Sequence, residues 1–182
     1  MIFVAELGDK SQLMALTFAT RYPALPVLVG ITVATAIVHA LSVTVGVAIS
    51  AVVPPVAVTV LAALAFFGFA AWTLRGDSLD EDEASRAGRT TRSAVVAASV
   101  AFFLAELGDK TMLATVTLAT TQEAFGVWLG STAGMVVADA IAIGIGRFLG
   151  ASLPERLVRV FAAAAFVVFG VILLAEAFLL RA

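Results

Sequence analysis

Long apolar segments separated by short polar breaks run through this chain of 182 residues. Each segment is about as long as the roughly 20 residues that cross a bilayer core. Pro54, Pro55 and Pro154 mark two of the breaks. The pattern predicts six transmembrane helices, and they cover roughly residues 1–20, 26–50, 56–75, 93–119, 125–149 and 157–180.

Composition agrees with this pattern. Hydrophobic residues make up 62% of the chain and charged residues 13%, whereas a soluble domain has about 25% charged residues. So few charged groups cannot cover the surface of a soluble fold. The sequence therefore predicts an all-α integral membrane protein.

The two halves of the chain repeat one another. Residues 5–20 read AELGDKSQLMALTFAT and residues 105–120 read AELGDKTMLATVTLAT, with ten of sixteen positions identical. The same offset of 100 pairs further glycine, alanine, proline and phenylalanine positions without a gap. We therefore predict two three-helix repeats, 1–75 and 93–182, joined by an acidic, solvated linker at 76–92.

An odd number of helices per repeat requires the two repeats to insert in opposite orientations. Arginines test this, because Lys and Arg concentrate on the cytoplasmic side. Eight arginines lie on the side of the membrane that holds the linker, and only Arg181 lies on the other side. The eight are Arg21, Arg75, Arg86, Arg89, Arg92, Arg147, Arg156 and Arg159. We predict a cytoplasmic linker, both termini outside, and the inverted repeats typical of secondary transporters.

The start of the chain is short by comparison with the second repeat. Twelve apolar or small residues precede the second motif, but only Met1 to Val4 precede the first. We therefore expect the natural chain to begin upstream of Met1. No basic leader or extended targeting region is evident, so we expect a bacterial plasma membrane.

Four carboxylates are predicted to lie within the hydrocarbon region: Glu6, Asp9, Glu106 and Asp109. A charge at the centre of a helix costs roughly 2.5–3.5 kcal/mol, so such residues usually face a partner or a cavity. A spacing of three residues places Glu and Asp on one face of a helix. The four acids could meet between the repeats as hard oxygen ligands for Ca²⁺ or Mn²⁺, and they could bind protons when the metal leaves.

Several polar residues could support this metal site. Ser11, Gln12 and Thr111 could add neutral oxygen ligands, and Lys10 and Lys110 could neutralise the empty site or extend to the interface. The alternative is that the acids form structural ion pairs with these two lysines.

His39 and Asp139 occupy equivalent positions in the second and fifth helices. They could relay protons or complete the site. A structural, hydrogen-bonded histidine is the alternative for His39.

Other functional classes lack their signatures. With no cysteine and one histidine, the chain is poorly suited to thiolate or tetrahedral zinc sites. No GxxxxGK[ST] motif is present, which argues against an ATP-driven pump. No nucleophile is paired with a base and no basic stripe is present, so we expect neither an enzyme nor a nucleic-acid-binding protein.

The paired motifs ELGDKS, from Glu6 to Ser11, and ELGDKT, from Glu106 to Thr111, resemble the Glu-x-Gly-Asp-(Lys/Arg)-(Ser/Thr) signature of a cation/proton antiporter family. This family includes bacterial manganese exporters and Golgi Ca²⁺/Mn²⁺ transporters. The resemblance covers essentially the whole chain. It implies that the four acids of the motifs bind the cation, with the neighbouring lysines and hydroxyls in support.

These observations predict a secondary transporter that exchanges Mn²⁺ or Ca²⁺ for protons and exports the metal from the cytoplasm. The metal is its substrate, and no permanently bound cofactor is expected. The alternatives are an exporter of another small solute and a non-transporting membrane subunit. The lipid bilayer is an expected partner, and the sequence leaves a homo-oligomer open.

Overall fold

The computed structural model describes residues 1–7, 9–75, 93–149 and 155–179. Gly8 and the predicted linker at 76–92 lie outside the described residues. Within them the chain is helical apart from short turns. In chain order the helices are α1 Ile2–Glu6, α2 Lys10–Arg21, α3 Ala24–Val52, α4 Pro55–Arg75, α5 Ala94–Glu106, α6 Lys110–Ala119, α7 Ala124–Leu149 and α8 Glu155–Leu179.

Helices α3, α4, α7 and α8 contain stretches long and apolar enough to cross a membrane. Helix α5 is apolar but shorter. The chain is therefore a multi-pass membrane protein, as its composition predicts. The first residues of its helices also repeat at the offset of 100, since α2, α3 and α4 begin at 10, 24 and 55 and α6, α7 and α8 begin at 110, 124 and 155. The count of six membrane crossings stays a prediction.

The continuous helices predicted over 1–20 and 93–119 are wrong, because each is broken at its motif. Helix α1 ends at Glu6 and α2 begins at Lys10, and α5 and α6 are separated in the same way. Leu107 after α5 has extended backbone, with ψ at 110°, and Gly108 follows with φ at +83°. That positive φ suits glycine, which has no Cβ, and it turns the chain out of the helical path.

Each broken helix packs against the long helix of the other repeat. Helix α3 contacts α5 and α6, helix α7 contacts α1 and α2, and α4 packs along α8. Some equivalent residues meet directly: the rings of Phe66 and Phe166 stack with centroids 6.0 Å apart. Thr35 Oγ1 likewise donates to Met135 Sδ at 3.5 Å. The repeats are therefore interlocked, with the two broken helices between them.

Close backbone approach fixes α3 against the second repeat at two glycines. A Cβ built on Gly30 would lie 2.7 Å from the Cβ of Ala98 in α5. A Cβ on Gly46 would lie 2.7 Å from the Cβ of Ala119 in α6. Such distances leave no room for a methyl group, so glycine permits this packing.

Candidate functional site

The two motifs fold in the same way. In each, Glu is the last residue of the first helical segment and Asp precedes the second. The Asp9 N–H donates to the Glu6 carbonyl at 3.1 Å, and the Asp109 N–H donates to the Glu106 carbonyl at 3.2 Å. The prediction that Glu and Asp share one helix face is therefore wrong. They flank a turn, because the helix is interrupted between them.

A hydroxyl group from the second segment holds each glutamate. Ser11 Oγ donates to Glu6 Oε1, and Thr111 Oγ1 donates to Glu106 Oε2 at 2.9 Å. All four side chains are buried. Ser11 and Thr111, predicted as neutral oxygen ligands, thus orient the carboxylates in both repeats, each bridging the break in its own motif.

The structure brings the predicted acids together. Glu6 interacts electrostatically with Glu106, Asp9 and Asp139, and Glu106 interacts with Asp109, Asp9 and Asp139. We refer to these five residues, Glu6, Asp9, Glu106, Asp109 and Asp139, as the acidic cluster. All are at most 5% exposed. The cluster is built from both repeats, with Asp139 contributed by α7.

Several oxygens of the acidic cluster have no hydrogen-bond partner among the described residues. They are Glu6 Oε2, Glu106 Oε1 and both carboxylate oxygens of Asp139. Buried polar groups are normally satisfied, so oxygens like these are expected to receive a ligand, a proton or water. As the side chains stand, no three acidic or histidine groups in the described part of the chain are gathered tightly enough to hold a metal ion.

A lysine of the second motif reaches an acid of the first. Lys110 Nζ lies 2.6 Å from Asp9 Oδ1, and the side chains are 5% and 0% exposed. This buried ion pair crosses between the repeats. It places positive charge within the acidic cluster, as the predicted neutralising role of the lysines requires. The Lys10 side chain lies outside the described part of the chain.

Gln12 connects the first motif to α7. Its Nε2 donates to the carbonyl oxygen of Ala138 at 3.0 Å, next to Asp139 in the chain. Gln12 is buried. Its amide nitrogen therefore positions α2 against the helix that carries Asp139, a contact that its sequence neighbours do not indicate.

His39 and Asp139 have different surroundings despite their equivalent positions. His39 is buried in α3, and its Nδ1 lies 3.3 Å from Thr132 Oγ1 of α7. Asp139 interacts with Asp9, Glu6 and Glu106. In the described part of the chain the structure therefore joins Asp139 to the acidic cluster and His39 to Thr132. Sequence reasoning overlooked Thr132, although it lies seven residues before Asp139 and thus on the same helix face.

A cavity of about 360 Å³ lies between the start of α1 and the start of α7. Ile2, Glu123, Gly130 and Ser131 are among its lining residues. Ile2 is one helical turn from Glu6. Ser131 precedes Asp139 by eight residues, or about 12 Å at 1.5 Å per residue. The cavity therefore borders the starts of the two helices that carry Glu6 and Asp139, and about two helical turns separate Ser131 from Asp139.

Glu123 immediately precedes α7 at the end that borders this cavity, and its side chain caps the N-terminus of the helix. Its carboxylate accepts hydrogen bonds from the Phe125 N–H at 2.8 Å and the Gly126 N–H at 2.6 Å. The bonds from Gly126 and Phe125 hold the pKa of Glu123 below its ordinary value, because they favour the charged form. Glu123 therefore presents negative charge at the cavity at neutral pH.

The sequence that forms the two broken helices matches a known family. A family model described as "Divalent cation/proton antiporter GDT1" matches residues 1–81 and 94–180. The chain belongs to the GDT1 divalent cation/proton antiporter family. This confirms the resemblance found in the paired motifs. GDT1-family proteins are transporters, so the chain is a divalent cation transporter rather than an enzyme.

Curated relatives agree with the GDT1 assignment. A Vibrio cholerae protein named "Putative manganese exporter" is 35% identical over 87% of this chain and 78% of its own length. The rice protein "GDT1-like protein 2, chloroplastic" is 33% identical over 94% of this chain. This chain spans 58% of the rice protein. "GDT1-like protein 5" of Arabidopsis thaliana is 28% identical over 94% of this chain and 90% of its own length. No solved structure matches the chain significantly.

Proposed function

We propose that this GDT1-family chain exchanges a divalent metal cation, Mn²⁺ or Ca²⁺, for protons and exports the metal from the cytoplasm. The observation that carries the proposal is the acidic cluster at the two helix breaks. Oxygens of Glu6, Glu106 and Asp139 are buried there without partners in the described chain. The Vibrio relative's name points in the same direction.

The chemistry of the donors favours a hard divalent cation. Carboxylates, hydroxyls and backbone carbonyls are the oxygen ligands that Ca²⁺ and Mn²⁺ prefer. The break after α1 and the break after α5 also present helix C-termini, whose partial negative charge attracts cations. Discontinuous helices that meet at the interface between repeats provide such sites in other secondary transporters.

Charge balance supplies the reason for proton exchange. Five carboxylates close together in a membrane interior repel one another strongly, because low polarity strengthens Coulomb interactions. The cluster can release a divalent cation only if other positive charge replaces it. Protons can bind the same oxygens, so metal and protons compete for one site. That competition is the minimum requirement for exchange.

The proposed architecture is two inverted repeats, 1–75 and 93–182, with a cytoplasmic linker at 76–92 and both termini outside. The reciprocal packing of each broken helix on the opposite repeat supports a two-fold relation. So do the direct contacts of Phe66 with Phe166 and of Thr35 with Met135. The arginine distribution supports the orientation. A bacterial plasma membrane would supply the inward proton gradient for export.

Within this scheme the residues have distinct roles. Glu6, Asp9, Glu106 and Asp109 bind the cation, and Asp139 completes the site or carries a proton. Ser11 and Thr111 hold the glutamates. His39, bound to Thr132 between α3 and α7, relays protons.

Proteoliposomes with an internal pH dye test the proposal. We expect an imposed Mn²⁺ or Ca²⁺ gradient to drive proton movement, and Glu106→Gln or Asp109→Asn to abolish it without loss of insertion. Glu176→Gln is the matched control, because Glu176 is an exposed acid of α8 outside the acidic cluster. Normal transport by Asp109→Asn would show that the site is wrongly assigned.

A further inference from the structure

Asp9 is the acid with which several other members of the acidic cluster interact. Glu6, Glu106 and Asp139 each interact electrostatically with it. It lies between the broken segments of the first repeat and is fully buried. A cation placed on Asp9 therefore interacts favourably with much of the acidic cluster at once.

An ammonium group already occupies this position. Lys110 Nζ lies 2.6 Å from Asp9 Oδ1. Lys110 is the first residue of α6, so the pair joins the second motif to the first. A lysine ammonium is a compact point charge on a flexible stem, and it can be displaced without moving the helix that carries it.

We propose that Lys110 is an internal competitor of the transported cation: it holds Asp9 when no metal is bound, and the metal must displace it. The inference rests on the proposed function, and it adds that Lys110 sets the affinity of the site for the transported cation. A transport site must bind its ion well enough to load it and weakly enough to release it. Competition by Lys110 weakens apparent metal binding and so favours release.

A purely structural ion pair predicts the opposite effect on affinity. If Lys110 only positioned Asp9, its removal would disorder a ligand and weaken metal binding. If Lys110 competes, its removal takes the ammonium group away from Asp9 Oδ1 and tightens metal binding, because the fraction of protein ready to bind rises. The sign of the change therefore separates the two roles.

Mn²⁺ titrations of the purified full chain in nanodiscs test this sign. We expect Lys110→Met to bind Mn²⁺ at least about tenfold more tightly than the unchanged chain. Arg21→Met removes one exposed positive charge from the end of α2 and should leave the affinity unchanged. Lys110→Arg keeps a positive charge at the position that contacts Asp9 and should not show this gain.

Equal or weaker Mn²⁺ binding by folded Lys110→Met would overturn the inference and leave the proposed function standing. Absence of Mn²⁺ and Ca²⁺ binding by the unchanged chain would instead refute the proposed function.

A measurement on the unchanged chain, with Lys110→Arg used only to assign the signals, covers the case in which Lys110→Met does not fold. The chain has two lysines, so ε-¹³C-lysine labelling yields two side-chain NMR signals, assigned with Lys110→Arg. Saturating Ca²⁺ should shift the Lys110 signal, and a signal that does not move would overturn the inference.

Discussion

Gly30 and Gly130 occupy equivalent positions in the two repeats but have different surroundings. A Cβ added to Gly30 would lie 2.6 Å from the Val95 carbonyl oxygen and 2.7 Å from the Cβ of Ala98. A Cβ added to Gly130 would meet no heavy atom within 4 Å in the described part of the chain. Alanine at the two positions therefore separates helix propensity from packing, with each variant as the control for the other.

The expected magnitude follows from these distances. Ala is favoured over Gly in a helix interior by about 1 kcal/mol, so Gly130→Ala should be neutral or stabilising. At Gly30 the same gain is opposed by overpacking, which costs about 1–3 kcal/mol because α3 and α5 must separate. The two variants should differ by about 1–3 kcal/mol in the free energy of unfolding.

Thermal unfolding in one detergent provides the assay. A change of 1 kcal/mol corresponds to about 2–4 °C for a chain of this length. Gly30→Ala should therefore melt about 2–12 °C below Gly130→Ala. It should also transport Mn²⁺ more slowly, because α5 ends at Glu106. A melting temperature for Gly30→Ala equal to or above that of Gly130→Ala would refute the close packing of α3 on α5.

Two further predictions concern the start of α7. Glu123→Ala should lower the melting temperature at neutral pH, because it removes the acceptor for two backbone N–H groups. The folded-state pKa of Glu123 is lowered, so this contribution is present above the unfolded-state pKa and disappears as pH falls through the folded-state value. Melting curves of both proteins should therefore converge in acid, and a constant difference would contradict the carboxylate's role. Gly130→Cys places the only thiol of the chain in the cavity. A charged, membrane-impermeant thiol reagent added from outside should modify it and slow transport. The unchanged chain, which has no cysteine, is the control and should not be slowed by the reagent. Transport that is unaffected by complete modification at residue 130 would argue against the cavity as part of the cation route.

Much of this protein could be predicted from local sequence. The duplicated motif located equivalent helices in both repeats, and the first residues of α2, α3 and α4 agree with those of α6, α7 and α8 at an offset of 100. The sequence also predicted that the four motif acids are buried, because acids within apolar segments must be sheltered from lipid. They are Glu6, Asp9, Glu106 and Asp109. The structure adds Asp139 to this group, as its place in an apolar helix indicated.

The helix breaks were not predicted, although a signal was present. Asp favours the position just before a helix, and glycine favours the end of one, so the Gly-Asp-Lys order of each motif is typical of a break. The three-residue spacing of Glu and Asp was instead interpreted as one helix face. That interpretation assumes an uninterrupted helix, which the extended backbone at Leu107 and the positive φ of Gly108 rule out.

The contacts between the repeats were decided by tertiary structure alone. Lys110 pairs with Asp9, and His39 meets Thr132. The physical reason is that the repeats have nearly the same local sequence at their motifs, so local rules assign equivalent positions the same environment. Their neighbours come from the other repeat, and these differ. Sequence therefore determined which groups are buried, and the interlocking of the repeats determined which of them meet.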